Sequence, residues 1–133
     1  RQMYYMAEEM LESSGYGRYE ISNFSKPSFE SKHNTKYWIL DDYLGLGKSA
    51  HSLWHGKRFY YDTDWSLKSE GAVDIEEERI MLGLRLNCGI DKSLIKKDFS
   101  RFVKMGLMKE SENKIALTSE GMLVSNLIIS ELL

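Results

Sequence analysis

The sequence predicts an α+β fold of two small units, the second a winged-helix-like helical domain. Two observations carry this prediction. Every aromatic residue except Phe99 and Phe102 lies at or before Trp65, so composition steps where two units would meet, near Ser66–Asp74. The first part then mixes one helical stretch with short strand-like runs, whereas the second reads helix, helix, hairpin, helix. The units are expected at 1–65 and 66–133.

Each element has its own signal. Met3, Met6, Ala7, Met10 and Leu11 share one face of a helix over residues 2–14, and Gly15 ends it. Tyr19–Phe24 reads as a short strand, and Pro27 to Lys36 as a loop. Tyr43–Gly47 reads as a second strand with glycines where backbone or ligand comes close. Gly56–Lys57 separates the runs His51–Trp54 and Arg58–Tyr61 and predicts a hairpin. Asp74 caps a helix with Glu77 as reciprocal partner, and Ile80, Met81 and Leu84 form its apolar face. Asp91 caps the next helix, where Ile95, Phe99, Phe102 and Val103 share a face up to Gly106. Leu107–Met108 and Ile115–Leu117 flank a polar turn, a second hairpin. Thr118 caps a last helix with Leu123, Leu127, Ile128 and Leu132 inside.

Composition narrows the function classes. Apolar residues make up 42% and charged residues 29%, a folded globular balance. The net charge is −2 and neither half is basic, so the chain has no general footprint for nucleic acid or anionic lipid. No apolar run approaches the ~20 residues of a membrane span. The single cysteine, Cys88, forbids an intrachain disulfide or a multi-cysteine metal site and points to a reducing, cytoplasmic setting. The chain opens on Arg1 inside a helical pattern with no signal-peptide character, as expected of a piece that begins within a longer protein.

Five groups of residues carry candidate chemistry, each beside a plainer reading. His33-Asn34-Thr35-Lys36-Tyr37-Trp38 brings imidazole, amide, phenol and indole together in the expected loop. Imidazole ligates haem iron and flat rings pack on a macrocycle; the plainer reading is a loop anchored by aromatics. Gly45-Leu46-Gly47-Lys48-Ser49-Ala50 is no phosphate-binding P-loop, because Asp42 stands where its first glycine belongs; it is a ligand-approaching turn or an ordinary tight one. His51 and His55 share a face only on a helix, lack a third ligand, and meet Gly56. Lys97, Arg101 and Lys104 form a basic stripe if their segment is one helix, either a DNA-facing surface or a solvated face. Cys88 reads as a small half-buried residue without a role.

Three strings in order go further. Tyr19-Glu20-Ile21-Ser22-Asn23-Phe24-Ser25-Lys26-Pro27, then His33-Asn34-x-x-Tyr37-Trp38, then Tyr43-Leu44-Gly45-Leu46-Gly47-x-x-Ala50-His51-Ser52 resemble the oxygen-independent coproporphyrinogen III oxidase-like (HemN/HemW-type) radical SAM proteins. Met81-Leu82-Gly83-Leu84-Arg85-Leu86, Gly106-Leu107-Met108 and Leu117-Thr118-x-x-Gly121 resemble that family's C-terminal domain. The resemblance covers essentially the whole chain, as about the last third of such a protein. It implies the closing elements of a radical-SAM partial barrel in residues 1–65, and a HemN-type C-terminal winged-helix-like domain in 66–133.

It also implies a function. His33, Asn34, Tyr37 and Trp38 match a motif associated with haem binding in the HemW-like branch, with His33 as the iron ligand. Gly45, Gly47 and Ala50, followed by His51, match a glycine turn near the S-adenosylmethionine (SAM) site. Lys48-Ser49 departs from the Pro-Gly common there. Haem or porphyrin and the rest of the barrel are the implied partners, with no nucleic acid, and with self-association where apolar faces lack their cover. SAM and a 4Fe–4S cluster belong to the longer protein, since Cys88 alone cannot supply the three thiolates of a CxxxCxxC motif. The expected role is haem binding or transfer. The alternatives are part of a true coproporphyrinogen oxidase, an oxidoreductase of porphyrin biosynthesis, or a winged-helix DNA- or protein-interaction module. The chain also looks short against this family near 66–74 and 98–101.

Overall fold

The computed structural model describes residues 1–133. Helix α1 (Gln2–Ser13) forms as expected, and Gly15, at φ +81°, turns the chain away from it. The strand expected at Tyr19–Phe24 is instead the turn of a two-residue ribbon, β1 (Gly17–Arg18) against β2 (Phe24–Ser25). Ser22 and Asn23 favour the turn, and the Tyr19 amide closes it by donating to the Asn23 carbonyl at 3.2 Å.

The loop expected from Pro27 to Lys36 ends in helix α2 (Lys32–Trp38). Ser31 caps it, its Oγ accepting the Asn34 amide at 3.3 Å. Tyr43–Gly47 forms no strand. Only Tyr43 pairs, exchanging backbone hydrogen bonds of 2.8 and 3.0 Å with Leu53, because the glycines that follow turn the chain out of the ladder.

The expected hairpin is present as β3 (His51–Trp54) and β4 (Lys57–Tyr61). Its turn residues His55 and Gly56 lie at φ +49° and +72°, the backbone that a two-residue hairpin requires. Strand β5 (Leu67–Ala72) adds antiparallel to β4 past a bulge between Arg58 and Phe59, so most of the segment 66–74 is sheet.

Helix α3 (Ile75–Gly83) starts where Asp74 accepts the amides of Glu76 and Glu77 at 3.0 and 3.1 Å. Beyond β6 (Ile90–Asp91), Asp91 caps only a 3₁₀ turn, Lys92–Leu94, and α4 (Ser100–Lys104) begins later. The long helix expected there is broken because Ile95 is extended, at φ −89° and ψ 112°. Its apolar residues still point inward. The second hairpin, β7 (Met108–Glu110) and β8 (Lys114–Leu117), matches expectation, and β6 joins it to give the order β6-β8-β7.

The final helix is two. Thr118 caps α5 (Ser119–Leu123), and α6 (Ser125–Leu132) follows after Val124 leaves helical geometry. That break resets the helical phase. Ile128, Ile129 and Leu132 face the core, while Leu123 and Leu127, expected inside, are exposed.

All twelve residues of the hydrophobic core lie between Ile80 and Leu132. In the first 72 residues Leu53 is the one buried hydrophobic side chain. Helix α1 shows why: it turns a polar face inward, where Glu8 meets Arg18 at 3.3 Å and accepts from the Ser119 hydroxyl at 2.8 Å. Met3, Met6 and Met10, the predicted apolar face, lie on the solvent side.

The turn that leads into α4 has a pH signature. The amide of Ser100 donates to the Asp98 carboxylate at 2.9 Å and its hydroxyl at 3.0 Å, holding that carboxyl below the usual range. The ionised form therefore stabilises the fold above the ordinary carboxylate value of about 4, and the contribution is lost as pH falls through the lower folded value. Asp98→Asn is expected to flatten the acid limb of a urea-midpoint profile; an unchanged limb counts against a stabilising Asp98–Ser100 turn.

Candidate functional site

Helix α2 divides two surfaces. On one side stand His33 and Tyr37, one turn apart. The Tyr37 hydroxyl lies 2.8 Å from His33 Nε2, and the rings meet edge to face at 5.0 Å. Tyr37 in turn meets Tyr43 edge to face at 4.5 Å, which ties α2 to the paired segment before the hairpin. His33 is exposed, and in the tautomer whose Nε2–H donates to the Tyr37 oxygen its Nδ1 lone pair stays free. Trp38 is half-buried beneath the Arg85 guanidinium, 5.9 Å from its centroid, which docks the helix end on the segment after α3. Asn34 is half-buried in the first turn and contributes its amide to the Ser31 cap.

The opposite side of α2 lines a groove of about 650 Å³. Lys32, Thr35, Lys36 and Ile39 form one wall, and Leu86, Asn87 and Cys88 face them, with Tyr19 and Arg18 between. His33 does not line it. The groove exists because the β1–β2 turn docks on the segment after α3: Glu20 bridges Leu86, and the Asn87 amide donates to the Tyr19 carbonyl at 3.0 Å. None of these groove residues stands out as ligand-binding from sequence. The signal was present in Lys32, Lys36 and Ile39, at i, i+4 and i+7, but it counts only on a helix, and the segment reads as loop.

The glycine turn is a close backbone crossing. A Cβ on Gly45 would overlap the His51 carbonyl, and the Gly45 amide donates to the buried Ser52 hydroxyl at 3.0 Å. Gly47 adopts φ +100°. The Ser49 amide reaches the Tyr61 carbonyl at 2.6 Å and Lys48 lies over the Trp65 ring, so the turn is latched to β4. Ala50 leads into β3, and His51 stacks on Tyr60 with Nδ1 3.1 Å from Glu70. The structure thus joins the His33 and glycine-turn motifs through Tyr37 and Tyr43.

His51 and His55 sit on a strand and in its turn, as the expected hairpin requires. One expectation changes. The basic stripe is not one surface: Lys97 precedes α4, Lys96 pairs with Glu76, and Arg101 pairs with Glu131. No group of three or more His, Cys, Asp or Glu side chains is placed to hold a metal ion. No helix is long and apolar enough to cross a membrane.

No family model matches the chain. It is 30% identical over 155 residues to the heme chaperone HemW of Bacillus subtilis (strain 168), covering 94% of this chain and 40% of that protein. That match is longer than the 133 residues here, so the relative carries insertions. The chain is 45% identical over 111 residues to the mitochondrial radical S-adenosyl methionine domain-containing protein 1 of Danio rerio, covering 66% of this chain and 25% of that one. The solved Escherichia coli coproporphyrinogen III oxidase HemN, a radical SAM enzyme, shares the fold at a TM-score of 0.67 and 18% identity, over 94% of this chain and 38% of that one. The chain therefore spans about 40% of the length of the curated relatives named first.

Proposed function

We propose that this chain, which resembles the C-terminal portion of HemN/HemW-type radical SAM proteins in sequence and fold, binds haem as cargo through His33. The observation that carries the reading is an exposed imidazole whose Nε2 is held by the Tyr37 hydroxyl, in a chain whose relatives are named heme chaperones. The residues fit such a ligand. With Nε2–H donating to the Tyr37 oxygen, the Nδ1 lone pair is open to an iron, and the Tyr37 and Tyr43 rings set the imidazole's orientation. Arg85 over Trp38 fixes the helix that carries them.

Within this reading, residues 1–65 are the closing elements of a partial barrel and 66–133 a winged-helix-like domain. The order helix, strand, 3₁₀ turn, helix, hairpin from α3 to β8, with β6 pairing β8, supports the second assignment. Gly45, Gly47, Ala50 and His51 are then the SAM-side contact of the longer protein, with open space beside Gly47. SAM and a 4Fe–4S cluster would supply radical chemistry there; Cys88 cannot provide a three-thiolate ligand set by itself. What this chain does is bind and orient the cargo.

A titration with hemin tests the reading. The chain is expected to shift the Soret band, and His33→Ala to bind at least roughly tenfold more weakly with the imidazole-type spectrum lost. Tyr37→Phe, which keeps the ring and removes the hydroxyl, is expected to keep the Soret shift. An unchanged spectrum and affinity in His33→Ala would overturn the assignment.

A further inference from the structure

We infer that the groove behind α2 is a carboxylate-recognition site for a planar, mostly apolar dicarboxylate of the porphyrin class, clamped by Lys32 and Lys36. The inference rests on the haem reading for the ligand class, but it concerns the face of α2 that His33 does not occupy. Three observations carry it.

The first is size. About 650 Å³ falls inside the range of roughly 300–1,000 Å³ typical of small-ligand sites. The second is the wall chemistry. Tyr19, Ile39 and Leu86 give an apolar lining, and Ile39 is 54% exposed, a large apolar side chain left open beside the lysines.

The third is charge. Lys32 and Lys36 stand one turn apart on the same helix face, a spacing suited to two carboxylates on one edge of a ring. Lys32 is in no ion pair. Lys36 meets Asp41 at 3.1 Å, but both side chains are half exposed, and such a pair yields readily to a ligand. Glu30 is the one carboxylate on the wall, and it accepts the Ser28 amide at 3.3 Å.

Arg18 lines the groove but is only 8% exposed, and its guanidinium is already held by Tyr4, Ser119 and Glu8, so the lysines are the accessible cations of this wall. Opposite the lysines lies Cys88, the chain's one thiol, exposed at the groove edge.

That thiol provides the test. Metal-free protoporphyrin IX is the probe, since without iron it cannot use His33 as a ligand. It is expected to slow labelling of Cys88 by a maleimide, and the labelled chain to bind porphyrin at least roughly tenfold more weakly. Lys32→Glu with Lys36→Glu is expected to weaken porphyrin binding by roughly a hundredfold, about tenfold for each ammonium group removed. Both lysines are exposed, so the fold is expected to survive, and an unchanged far-ultraviolet circular dichroism spectrum checks that. The dimethyl ester of the same porphyrin is expected to give no protection.

Labelling of Cys88 that is indifferent to porphyrin, or slowed equally by the ester, would overturn the inference. The two readings fail separately. A hemin Soret shift abolished in His33→Ala, with Cys88 unprotected by metal-free porphyrin, removes the groove and keeps the iron ligand. Protection by metal-free porphyrin, with hemin binding indifferent to His33→Ala, keeps the groove and removes the iron ligand.

Discussion

Gly121→Ala is expected to cost about 3 kcal/mol of folding stability and to lower the urea midpoint by about 1.5 M. Gly121 lies in the first turn of α5, where Thr118 caps the helix and the Thr118 amide donates to the Leu107 carbonyl at 3.0 Å. That bond draws α5 down on the segment before β7. A Cβ on Gly121 would fall well inside contact distance of the Leu107 carbonyl oxygen and carbon, and close to the Leu117 side chain. The carbonyl is backbone held by Thr118, so it cannot swing away as a side-chain end would. Relief requires lifting α5, with buried Met122, off the core. Gly106→Ala is the control. Gly106 also departs from ordinary geometry, at φ +70°, but its Cβ would meet nothing within 4 Å, so about 1 kcal/mol is expected. Equal losses at the two sites would show that backbone conformation, not the close approach of α5, sets the requirement.

Glu78→Ala is expected to cost about 2–3 kcal/mol, and Arg58→Ala nearly as much. Arg58 on β4 donates both terminal nitrogens to the Glu78 carboxylate on α3, at 2.5 and 2.6 Å. The side chains are 29% and 14% exposed, so water screens the pair less than a surface bridge. The fork also raises the Arg58 guanidinium above its ordinary value, chiefly through the hydrogen bonds to Glu78. Removing either partner leaves a half-buried charge unmatched. The double variant is therefore expected to lose clearly less than the sum of the single losses, by more than about 1 kcal/mol. Strict additivity would mean that the pair contributes no coupling. Because β4 and α3 belong to different halves of the chain, protease sensitivity between Leu67 and Asp74 is expected to rise in parallel.

The local punctuation of this protein is written in its sequence. Gly15, Gly56 and Gly106 mark the ends and turns that the backbone makes, because each reverses the chain at a positive φ. Asp74, Asp91 and Thr118 each receive backbone amides at a helix start, as their short acceptor side chains predict. Both hairpins follow from apolar runs broken by turn residues. The His33 and glycine-turn strings are legible residue by residue, which is why the family resemblance needs no geometry.

What the tertiary structure decided is which faces meet. The methionines of α1 have helical spacing, yet the helix turns Glu8 inward, because Arg18 and Ser119 lie there to receive it. Tyr19–Asn23 has strand-forming residues, but its pairing is a single bridge from Glu20 to Leu86, and Ser22 and Asn23 turn the chain before a ladder forms. Lys32–Trp38 is helical through a serine cap and its packing against α3, against a reading as loop. Val124 breaks the last helix and rotates Leu123 and Leu127 outward. Periodicity reports which residues share a side of an element and cannot report what lies opposite. The groove of Lys32, Lys36 and Cys88 is assembled from residues up to 70 positions apart, or about half the chain, and only the docking of the two halves brings it together.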